Sequence, residues 1–296
     1  MRISVIVPTH NRCNILLKCL DSLLDQSIPR FDYEILVIND GSNDKTRENL
    51  IKFLSLNNDN IFYFEQENKG PASARNVGIK HAHGRFLIFI GDDIIASRDL
   101  LKEHLKVLEL NKNTAVLGFT VWDKSIEVTQ FMSFLINKGI QFDYKRLKHG
   151  QHCSYKLFYT SNISLEKHWF NEDLFDENFP YPSWEDMELG YRLYQKGLKI
   201  IFNQKALAFH HHEIKEEEFY KRVRLGSKSE LYIYKKHPEL LNLTIRKVKT
   251  GLILFFLKGI NLYRKIFKLL KLYNLIWKLN ICYYNNLGLW DGLKDI

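Results

Sequence analysis

Residues 86–93 read Phe-Leu-Ile-Phe-Ile-Gly-Asp-Asp, five consecutive apolar residues followed by a glycine and two adjacent acids. An uninterrupted apolar run of this length is typical of a strand that is covered on both faces of its sheet. Two neighbouring carboxylates at the end of such a strand repel each other and lose hydration unless a cation shares the site. Asp92 and Asp93 are therefore either ligands of a hard divalent cation or acids of a solvated turn that caps the next helix.

Strand and helix patterns alternate through the rest of the first hundred residues. This alternation predicts an α/β domain with a mostly parallel sheet that helices flank. The predicted strands cover residues 3–7, 33–38, 61–65 and 85–90, and the predicted helices cover about 13–26, 45–57 and 73–82.

Polar side chains follow the predicted strands at the points where they end. Thr9 and Asn11 come after the first strand, Asp40 ends the second, and the acid pair follows the fourth. Ligands of such sheets bind at the carboxyl ends of the strands, so these residues mark one binding edge. Asp40 also begins an Asp-Gly-Ser sequence, which is common in turns and caps helices well, so Asp40 taken alone is either a ligand or a turn residue.

The order and spacing of these motifs resemble the family 2 glycosyltransferases of the GT-A fold. Two further motifs belong to the resemblance, Ala74-Arg75-Asn76 and Trp184-Glu185-Asp186-Met187-Glu188, and it covers about residues 1–215. The resemblance implies the GT-A (nucleotide-diphospho-sugar transferase) fold. It also implies transfer of a sugar, with inversion, from a nucleotide-diphosphate donor such as a UDP-sugar to a hydroxyl of a glycan or lipid-linked acceptor, in bacterial surface-polysaccharide synthesis.

The resemblance implies a role for each matching residue of the nucleotide-binding half. The residues carried over to the nucleotide-sugar are Thr9, Asn11, Asp40, Arg75 and Asp92. Asp93, with Asp92, resembles the acids that hold Mn²⁺ or Mg²⁺. The family often has a carboxylate at the first position of this acidic triplet, where the chain has Gly91, so the division of labour between the two acids stays open.

A second acidic pair, Glu185-Asp186, stands ahead of a helical pattern over 187–196. Asp186 resembles the base of the family, with Glu185 beside it as a second catalytic candidate, because inverting transfer requires the acceptor hydroxyl to lose a proton. The alternative is that these acids only cap the helix. Trp184 and Asn162 resemble acceptor-binding positions, although an asparagine also satisfies turns locally.

Three consecutive histidines, His210-His211-His212, follow a strand-like stretch. Side chains alternate along a strand, so His210 and His212 are expected on one face and His211 on the other. The resemblance implies that one histidine completes the metal site, with His210 the first candidate and His212 the second. An imidazole ligand favours manganese over magnesium.

The charge of the chain is concentrated at its C-terminal end. Residues 221–296 carry 16 Lys and Arg against 4 Asp and Glu, whereas residues 1–220 carry 27 against 30. We therefore predict a catalytic domain over 1–220, with a nucleotide-binding half at 1–110 and an acceptor half at 111–220, and a basic helical extension over 221–296. An excess of positive charge favours an anionic partner.

The extension predicts an amphipathic helix on an anionic membrane surface, with Trp277 at the acyl boundary. The alternative is that its apolar face packs on protein, and nucleic acid is not favoured because no binding module accompanies the charge. No apolar run approaches the roughly 20 residues that span a bilayer. The basic residues that share one helical face are Lys258, Arg264, Lys265, Lys268, Lys271 and Lys278.

The sequence also bears on the cellular location of the protein and on two alternative functions. The N-terminus begins with a strand pattern rather than a leader, and the four cysteines show no pairing pattern, so we expect a cytoplasmic protein on the inner face of the membrane. One rival is a nucleotidyltransferase, whose glycine-rich basic phosphate loop is not visible near the N-terminus. The other is an inactive transferase-like membrane scaffold, against which both acid pairs argue.

Overall fold

The computed structural model describes residues 1–56, 60–240, 249–250, 252–254 and 272–294. The chain divides into two compact units. The first unit consists of Met1–Val128, Gly139–Glu177 and Asp186–His212, and the second of Thr129–Lys138, Asn178–Glu185 and the described part of Glu213–Ile296.

The first unit is built on a sheet in the order β3-β2-β1-β4-β8-β6-β9-β5, with β7 paired to β9. Strands β1 to β4 pair in parallel, as do β6 and β9, whereas β8 runs antiparallel to β4 and β6, and β5 and β7 run antiparallel to β9. The parallel pairing that the sequence predicts therefore holds for β1–β4, and the rest of the sheet is mixed. The strands are β1 Ile3–Thr9, β2 Tyr33–Asp40, β3 Ile61–Gln66, β4 Phe86–Ile90, β5 Ile94–Ala96, β6 Thr114–Trp122, β7 His152–Cys153, β8 Asn162–Glu166 and β9 Lys199–His210.

Helices of the first unit lie close to the predicted ranges, apart from the one at Leu100–Leu110, which was not predicted from the sequence. They are α1 Cys13–Leu24, α2 Thr46–Leu56, α3 Pro71–His81 and α4 Leu100–Leu110, and α6 Glu185–Gln195 begins at the last residue of a second-unit segment. The helix α1 buries Leu16, Leu20 and Leu23, which recur at the spacing of one helical face. The helix α3 starts with Pro71, whose fixed φ suits the first helical turn, directly after Gly70 at φ +87°.

Apolar side chains of the sheet pack on both of its faces. Val5 and Val7 of β1 lie in the cluster that includes the buried residues of α1, whereas Ile6 lies in the cluster that includes Ile79 of α3. Two covered faces explain why β4 is apolar throughout rather than alternating. The sheet is thus fixed on both sides, and its strand ends are held in place.

A buried polar network crosses the core beneath β8. His104 of α4 places Nδ1 2.7 Å from Ser164 Oγ and Nε2 2.8 Å from Asn162 Oδ1. Asn162 Nδ2 donates to the carbonyl oxygen of Ala206 at 3.1 Å. All three side chains are fully buried. Asn162, which the sequence assigned to the acceptor site, therefore lies in the core, where it satisfies an imidazole that has no access to water.

The same network makes stability depend on pH. Burial lowers the pKa of His104 to about 4, against a partly compensating hydrogen bond to Asn162. The unfolded chain takes up a proton near pH 6.5 and the folded chain does not, so this contribution is complete above pH 6.5 and is lost as the pH falls toward 4. We expect wild type to lose about 3 kcal/mol more than His104→Gln between pH 7 and pH 4, measured by urea unfolding. Equal losses in both proteins would contradict a neutral, buried His104.

Aromatic side chains fill the core of the second unit, which contains α5 Gln130–Asn137, α7 Glu216–Lys236 and a C-terminal helix, α8 Tyr273–Lys294. Trp277 of α8 is only 6% exposed and packs against the rings of Phe131 and Phe134. Its indole Nε1 donates to Glu216 at 2.9 Å. Trp277 is therefore a core residue, not the lipid anchor that the sequence pattern suggested, and α8 follows the protein-packing alternative.

The predicted boundary at residue 220 falls inside α7, which continues from Glu216 to Lys236 without a break. Among the basic residues assigned to one helical face, Lys278 is described and exposed. Lys258, Arg264, Lys265, Lys268 and Lys271 lie outside the described residues. None of the helices that the structure describes is both long enough and apolar enough to cross a bilayer.

Candidate active site

The acid pair lies in the short turn that joins β4 to β5. The turn is closed by the amide of Ile94, which donates to the carbonyl oxygen of Gly91 at 3.1 Å. A Cβ atom at Gly91 would stand 3.0 Å from Asp93 Oδ1, which is tighter than ordinary contact. The glycine that departs from the family's acidic triplet therefore leaves room for the carboxylate of Asp93.

Two residues from the end of β1 contact the pair. Thr9 donates its hydroxyl to Asp92 Oδ2 at 2.8 Å. Arg12, the residue before α1, points one nitrogen at both acids: its Nη1 lies 3.1 Å from Asp92 Oδ1 and 2.6 Å from Asp93 Oδ2. A single guanidinium thus neutralises part of the charge that two adjacent carboxylates build up.

The last residue of β9 completes the cluster. The pairing of β5 with β9 puts His210 opposite Ile94, and His210 Nε2 lies 3.3 Å from Asp93 Oδ2. The ring is 5% exposed and stacks on Trp122 with centroids 5.0 Å apart. His212 lies beside it, with ring centroids 5.8 Å apart, so the two candidate histidines are neighbours.

His211 takes a different direction from its two neighbours. Its Nδ1 lies 2.6 Å from Asp123 Oδ2, and its backbone amide donates to the carbonyl oxygen of Asp93 at 2.8 Å. The ring therefore faces Asp123, while the backbone holds the turn that carries Asp93. This contact ties the histidine run to the acid pair independently of the His210 side chain.

The donors around Asp93 fit a divalent metal ion in part. Adjacent ligands of one metal, with bonds of about 2.1 Å, stand about 3 Å apart, which the Asp93 and His210 atoms match at 3.3 Å. A carboxylate with an imidazole also suits manganese. Within the described ranges, no three histidine, cysteine, aspartate or glutamate side chains are grouped as a complete metal site. Among the described residues, Asp93 and His210 thus provide two donors at a suitable distance, and a bound metal ion would need further ligands.

The environment separates the acidities of the two carboxylates. Burial and the neighbouring Asp93 raise the pKa of Asp92. Burial acts in the same direction on Asp93, but His210 and Arg12 outweigh it and lower the pKa of Asp93 below its usual range. Asp93 is therefore the carboxylate that stays charged and is available to a cation.

Asp40 is part of a turn at the same edge of the sheet. Its Oδ1 accepts from the amide of Lys69 at 2.8 Å and from Gln66 Nε2 at 2.7 Å, and its Oδ2 accepts from the amide of Gly70 at 2.9 Å. These bonds hold the loop that leads into α3. The contacts of Asp40 are therefore those expected of a turn residue. The same bonds fix the orientation of its carboxylate, to which a nucleobase could then bind.

Asn11 links the ends of β1 and β2. It adopts φ +54°, and its Oδ1 accepts from the amide of Asn43 at 2.8 Å. His10, which sequence reasoning passed over, places Nδ1 2.7 Å from the carbonyl oxygen of Asp40. Its Nε2 lies 2.9 Å from Asn11 Nδ2. The segments that follow β1 and β2 are therefore held together by hydrogen bonds.

Arg75 lies one turn into α3, and its guanidinium carbon stands 5.4 Å from the centre of the Phe175 ring. Stacking on an aromatic ring fixes the orientation of the guanidinium group, which keeps its positive charge. The neighbouring Asn76 bonds both backbone groups of Phe175, at 2.9 Å each. The segment that carries Phe175 is thus anchored to α3, and Arg75 is positioned by it.

Asp186 opens the part of α6 that belongs to the first unit. Its Oδ1 accepts from the amide of Met187 at 2.7 Å, and its Oδ2 from the amide of Thr160 at 3.5 Å. Burial, together with the charges of Asp186 and Asp143, raises the pKa of Tyr159 to about 12. Asp186 therefore lies within electrostatic reach of Tyr159.

A series of ring contacts joins Tyr159 to the metal-binding candidates. Its ring lies 5.7 Å from that of Phe142, which in turn lies 5.8 Å from that of His210. Asp93 and Asp186 are thus connected through three side chains of the first unit. The two residues of the motif that precede Asp186 belong to the second unit: Glu185 is buried, and Trp184 adopts the left-handed φ of +76°, a strained conformation of the kind found at functional sites.

Sequence reasoning left Arg12 and the pair formed by His211 and Asp123 out of the site. Arg12 directly follows Asn11 in the sequence, and the signal that points to it is charge: two buried acids need a cation, and Arg12 is the arginine of that strand end. Asp123 gave no such signal. It is 88 positions from His211, and only the pairing of β6 with β9 brings the two together.

Comparison with known proteins identifies the family. The family model described as Glycosyl transferase family 2 matches residues 4–164, which is more than half of the chain. Chondroitin synthase from Escherichia coli is 25% identical over 284 residues, 83% of this chain and 41% of that protein. The uncharacterized glycosyltransferase YfnE from Bacillus subtilis is 28% identical over 257 residues, 71% of this chain and 64% of that protein. The chain spans less than two thirds of the length of both relatives.

Solved structures agree in fold. The mannosyltransferase PcManGT from Pyrobaculum calidifontis, in complex with GDP-Man and Mn²⁺, matches with a TM-score of 0.64 and 16% identity over 98% of this chain and 87% of that one. Residues 1–349 of S. aureus TarS, in complex with UDP, match with a TM-score of 0.58 and 19% identity over 100% of this chain and 92% of that one. The family match and the shared architecture confirm the expectation from the motifs: the chain belongs to glycosyl transferase family 2 and has the GT-A fold.

Proposed function

We propose that this chain transfers a sugar, with inversion, from a UDP-sugar to a hydroxyl of a glycan or lipid-linked acceptor in the synthesis of a cell-surface polysaccharide. The observation that carries the proposal is the cluster at the carboxyl edge of the sheet, where Asp93 meets Arg12 at 2.6 Å and His210 at 3.3 Å. Such a cluster provides a charged carboxylate, an imidazole and a cation at the edge where nucleotides bind in α/β sheets.

Nucleotide binding is assigned to the rim formed by β1, β2 and α3. Thr9, Asn11 and Asp40 lie at the ends of β1 and β2, and Arg75 lies on α3. A nucleoside diphosphate needs hydrogen-bond partners for its base and positive charge for its phosphates, and these residues offer both. Structures of TarS with UDP and with UDP-GlcNAc, which share the fold, support UDP as the nucleotide.

Asp93 and His210 are the residues that would hold a divalent ion. His212, next to His210, and Asp92 are the further candidate ligands. When bound, a metal such as Mn²⁺ supplies positive charge that stabilises the diphosphate as it leaves. The structure of the mannosyltransferase with the same fold is a complex with GDP-Man and Mn²⁺, which supports manganese here. Asp92, which is held by Thr9 and Arg12, is assigned to the nucleotide-sugar as well.

Asp186 is assigned as the base that takes the proton from the acceptor hydroxyl. Its carboxylate is held by two amide donors, at 2.7 and 3.5 Å, so its orientation is fixed before the acceptor arrives. Trp184, two residues before it at φ +76°, is assigned to the acceptor, and Glu185 is the second catalytic candidate. Relatives described as chondroitin synthase and as a dolichyl phosphate-linked sugar transferase support a glycan or lipid-linked acceptor.

A location on the inner face of the membrane is a separate proposal, and it depends on the basic residues of 241–271 rather than on α8. Vesicle sedimentation tests it: a triple Lys258→Glu, Lys265→Glu, Lys268→Glu variant should lose binding to phosphatidylglycerol vesicles. Equal binding of both proteins, or binding of neither, would argue against the membrane.

Release of UDP from a panel of UDP-sugars, with Mn²⁺ or with EDTA, tests the proposed function. We expect release that needs the metal and rises when a hydroxylated acceptor is added. A nucleotidyltransferase would instead release pyrophosphate from UTP and a sugar phosphate, and an inactive scaffold would release nothing. Either of these two results would overturn the proposal.

A further inference from the structure

Arg12 occupies the position in the acid pair where a cation would bind. Its Nη1 lies within hydrogen-bond distance of both carboxylates, 3.1 Å from Asp92 and 2.6 Å from Asp93. The oxygen of Asp93 that it contacts, Oδ2, is the same oxygen that faces His210 Nε2. The guanidinium and a metal ion would therefore compete for one oxygen atom.

The two carboxylates are mostly buried, but Arg12 is not. The side chains of Asp92 and Asp93 are 9% and 13% exposed, whereas that of Arg12 is 39% exposed. Arg12 also precedes α1 with φ −138°, outside the helix, so its side chain is not packed into a helical face. The acids are thus fixed by the fold, and the arginine is the member of the cluster that has room to leave.

The positive charges of Arg12 and of a metal ion make their binding to Asp93 mutually exclusive. A guanidinium and a divalent cation in contact with the same oxygen would repel each other at short range in a site that is largely shielded from water. Only one of them can neutralise the pair at a time. Conversely, removal of both would leave two adjacent, mostly buried carboxylates without a counterion, which is costly.

We propose that Arg12 is a built-in counterion of the acid pair, which must move off Asp93 before a divalent metal ion binds and which thereby weakens metal binding to the nucleotide-free enzyme. The inference rests on the proposed function, because it takes Asp93 and His210 as the metal-binding residues. Arg12 is a positioning residue in this scheme. It holds Asp93 in place while the metal is absent and makes metal binding favourable mainly when a diphosphate adds further ligands.

The proposal predicts opposite changes in stability and metal affinity. In Arg12→Gln the acid pair loses its counterion, so the melting temperature in EDTA falls. The dissociation constant for Mn²⁺ alone falls too, by about tenfold if Arg12 engages the pair in nine molecules out of ten, because apparent affinity scales with the competent fraction. Arg12→Lys, which retains a positive charge, should lie between Arg12→Gln and wild type. A purely structural arginine would lower stability and metal affinity together.

Mn²⁺ binding to the full-length protein, followed by the electron paramagnetic resonance signal of free Mn²⁺, provides the test. Arg98→Gln is the matched control, because Arg98 is 75% exposed and lies 3.9 Å from Asp25, away from the acid pair. Tighter Mn²⁺ binding by Arg12→Gln than by wild type and Arg98→Gln supports the proposal. Unchanged or weaker binding by Arg12→Gln overturns it, and if UDP release still requires Mn²⁺, the proposed function stands. Absence of Mn²⁺ binding in every protein, with metal-independent UDP release, overturns the metal assignment and this inference together.

Discussion

Asp93→Asn is expected to lower the rate of sugar transfer about a thousandfold. Asp93 is the carboxylate that stays charged in the folded protein, and it lies between Arg12 and His210. Asparagine keeps the size of the side chain but removes the charge that a divalent cation requires. Loss of the charge stabilisation that the cation provides, about 4 kcal/mol, corresponds to three factors of ten in rate. Steady-state release of UDP at saturating donor measures the effect.

Two features of the experiment make Asp93→Asn specific. The variant should also lose Mn²⁺ binding, and excess Mn²⁺ should not restore its rate, since the missing group is a ligand. Asp21→Asn is the control, because Asp21 is an exposed acid on α1 and its replacement should leave both quantities unchanged. A rate within threefold of wild type for Asp93→Asn would exclude Asp93 from the catalytic centre.

Asp186→Asn is expected to reduce kcat by about 10²- to 10⁴-fold, the range that a positioned general base contributes. The donor KM should change little, because Asp186 is placed on the acceptor side. Folding should be preserved, because asparagine has the size of aspartate and its amide oxygen can still accept from the amide of Met187. Thermal unfolding in parallel with kinetics separates loss of the base from loss of structure.

Asp143→Asn is the matched control for Asp186→Asn. Both carboxylates act on Tyr159 through their charge, but Asp143 is exposed and does not begin a helix. If Asp186 is the base, only its variant loses turnover while both retain donor binding. Equal losses in the two variants would mean that the charge near Tyr159, rather than a proton acceptor at 186, is what transfer requires.

Much of the first unit was predictable because its signals are local. The apolar runs of β1 to β4 and the periodicity of α1 to α3 are each contained in about ten residues, and the motifs at the strand ends follow directly from them. The acid pair could be recognised for the same reason. Two adjacent carboxylates after a buried strand are unusual wherever they occur, and their chemistry limits what can lie beside them.

Asn162 and Trp277 show where local signals fail. An asparagine in a polar stretch suggests a surface loop, and only the approach of His104, 58 positions away, turns it into a buried hydrogen-bond partner. An amphipathic pattern reports that Trp277 lies on an apolar face, but it does not report whether lipid or protein covers that face. Phe131 and Phe134, more than a hundred residues upstream, cover it. Both errors come from contacts that sequence spacing does not encode.

The three-residue strand β5 limits how the sequence of this protein can vary in length. Its pairing with β9 sets His210 opposite Ile94, one residue from Asp93, so the carboxylate and the imidazole meet through a strand register rather than through flexible loops. Side chains alternate along a strand, and an insertion of a single residue between Asp93 and Ala96 would turn one partner to the opposite face. Substitutions nearby can be absorbed by small shifts, but a change in chain length cannot. Homologues that retain this chemistry should therefore show a fixed number of residues here, even where their amino acids differ.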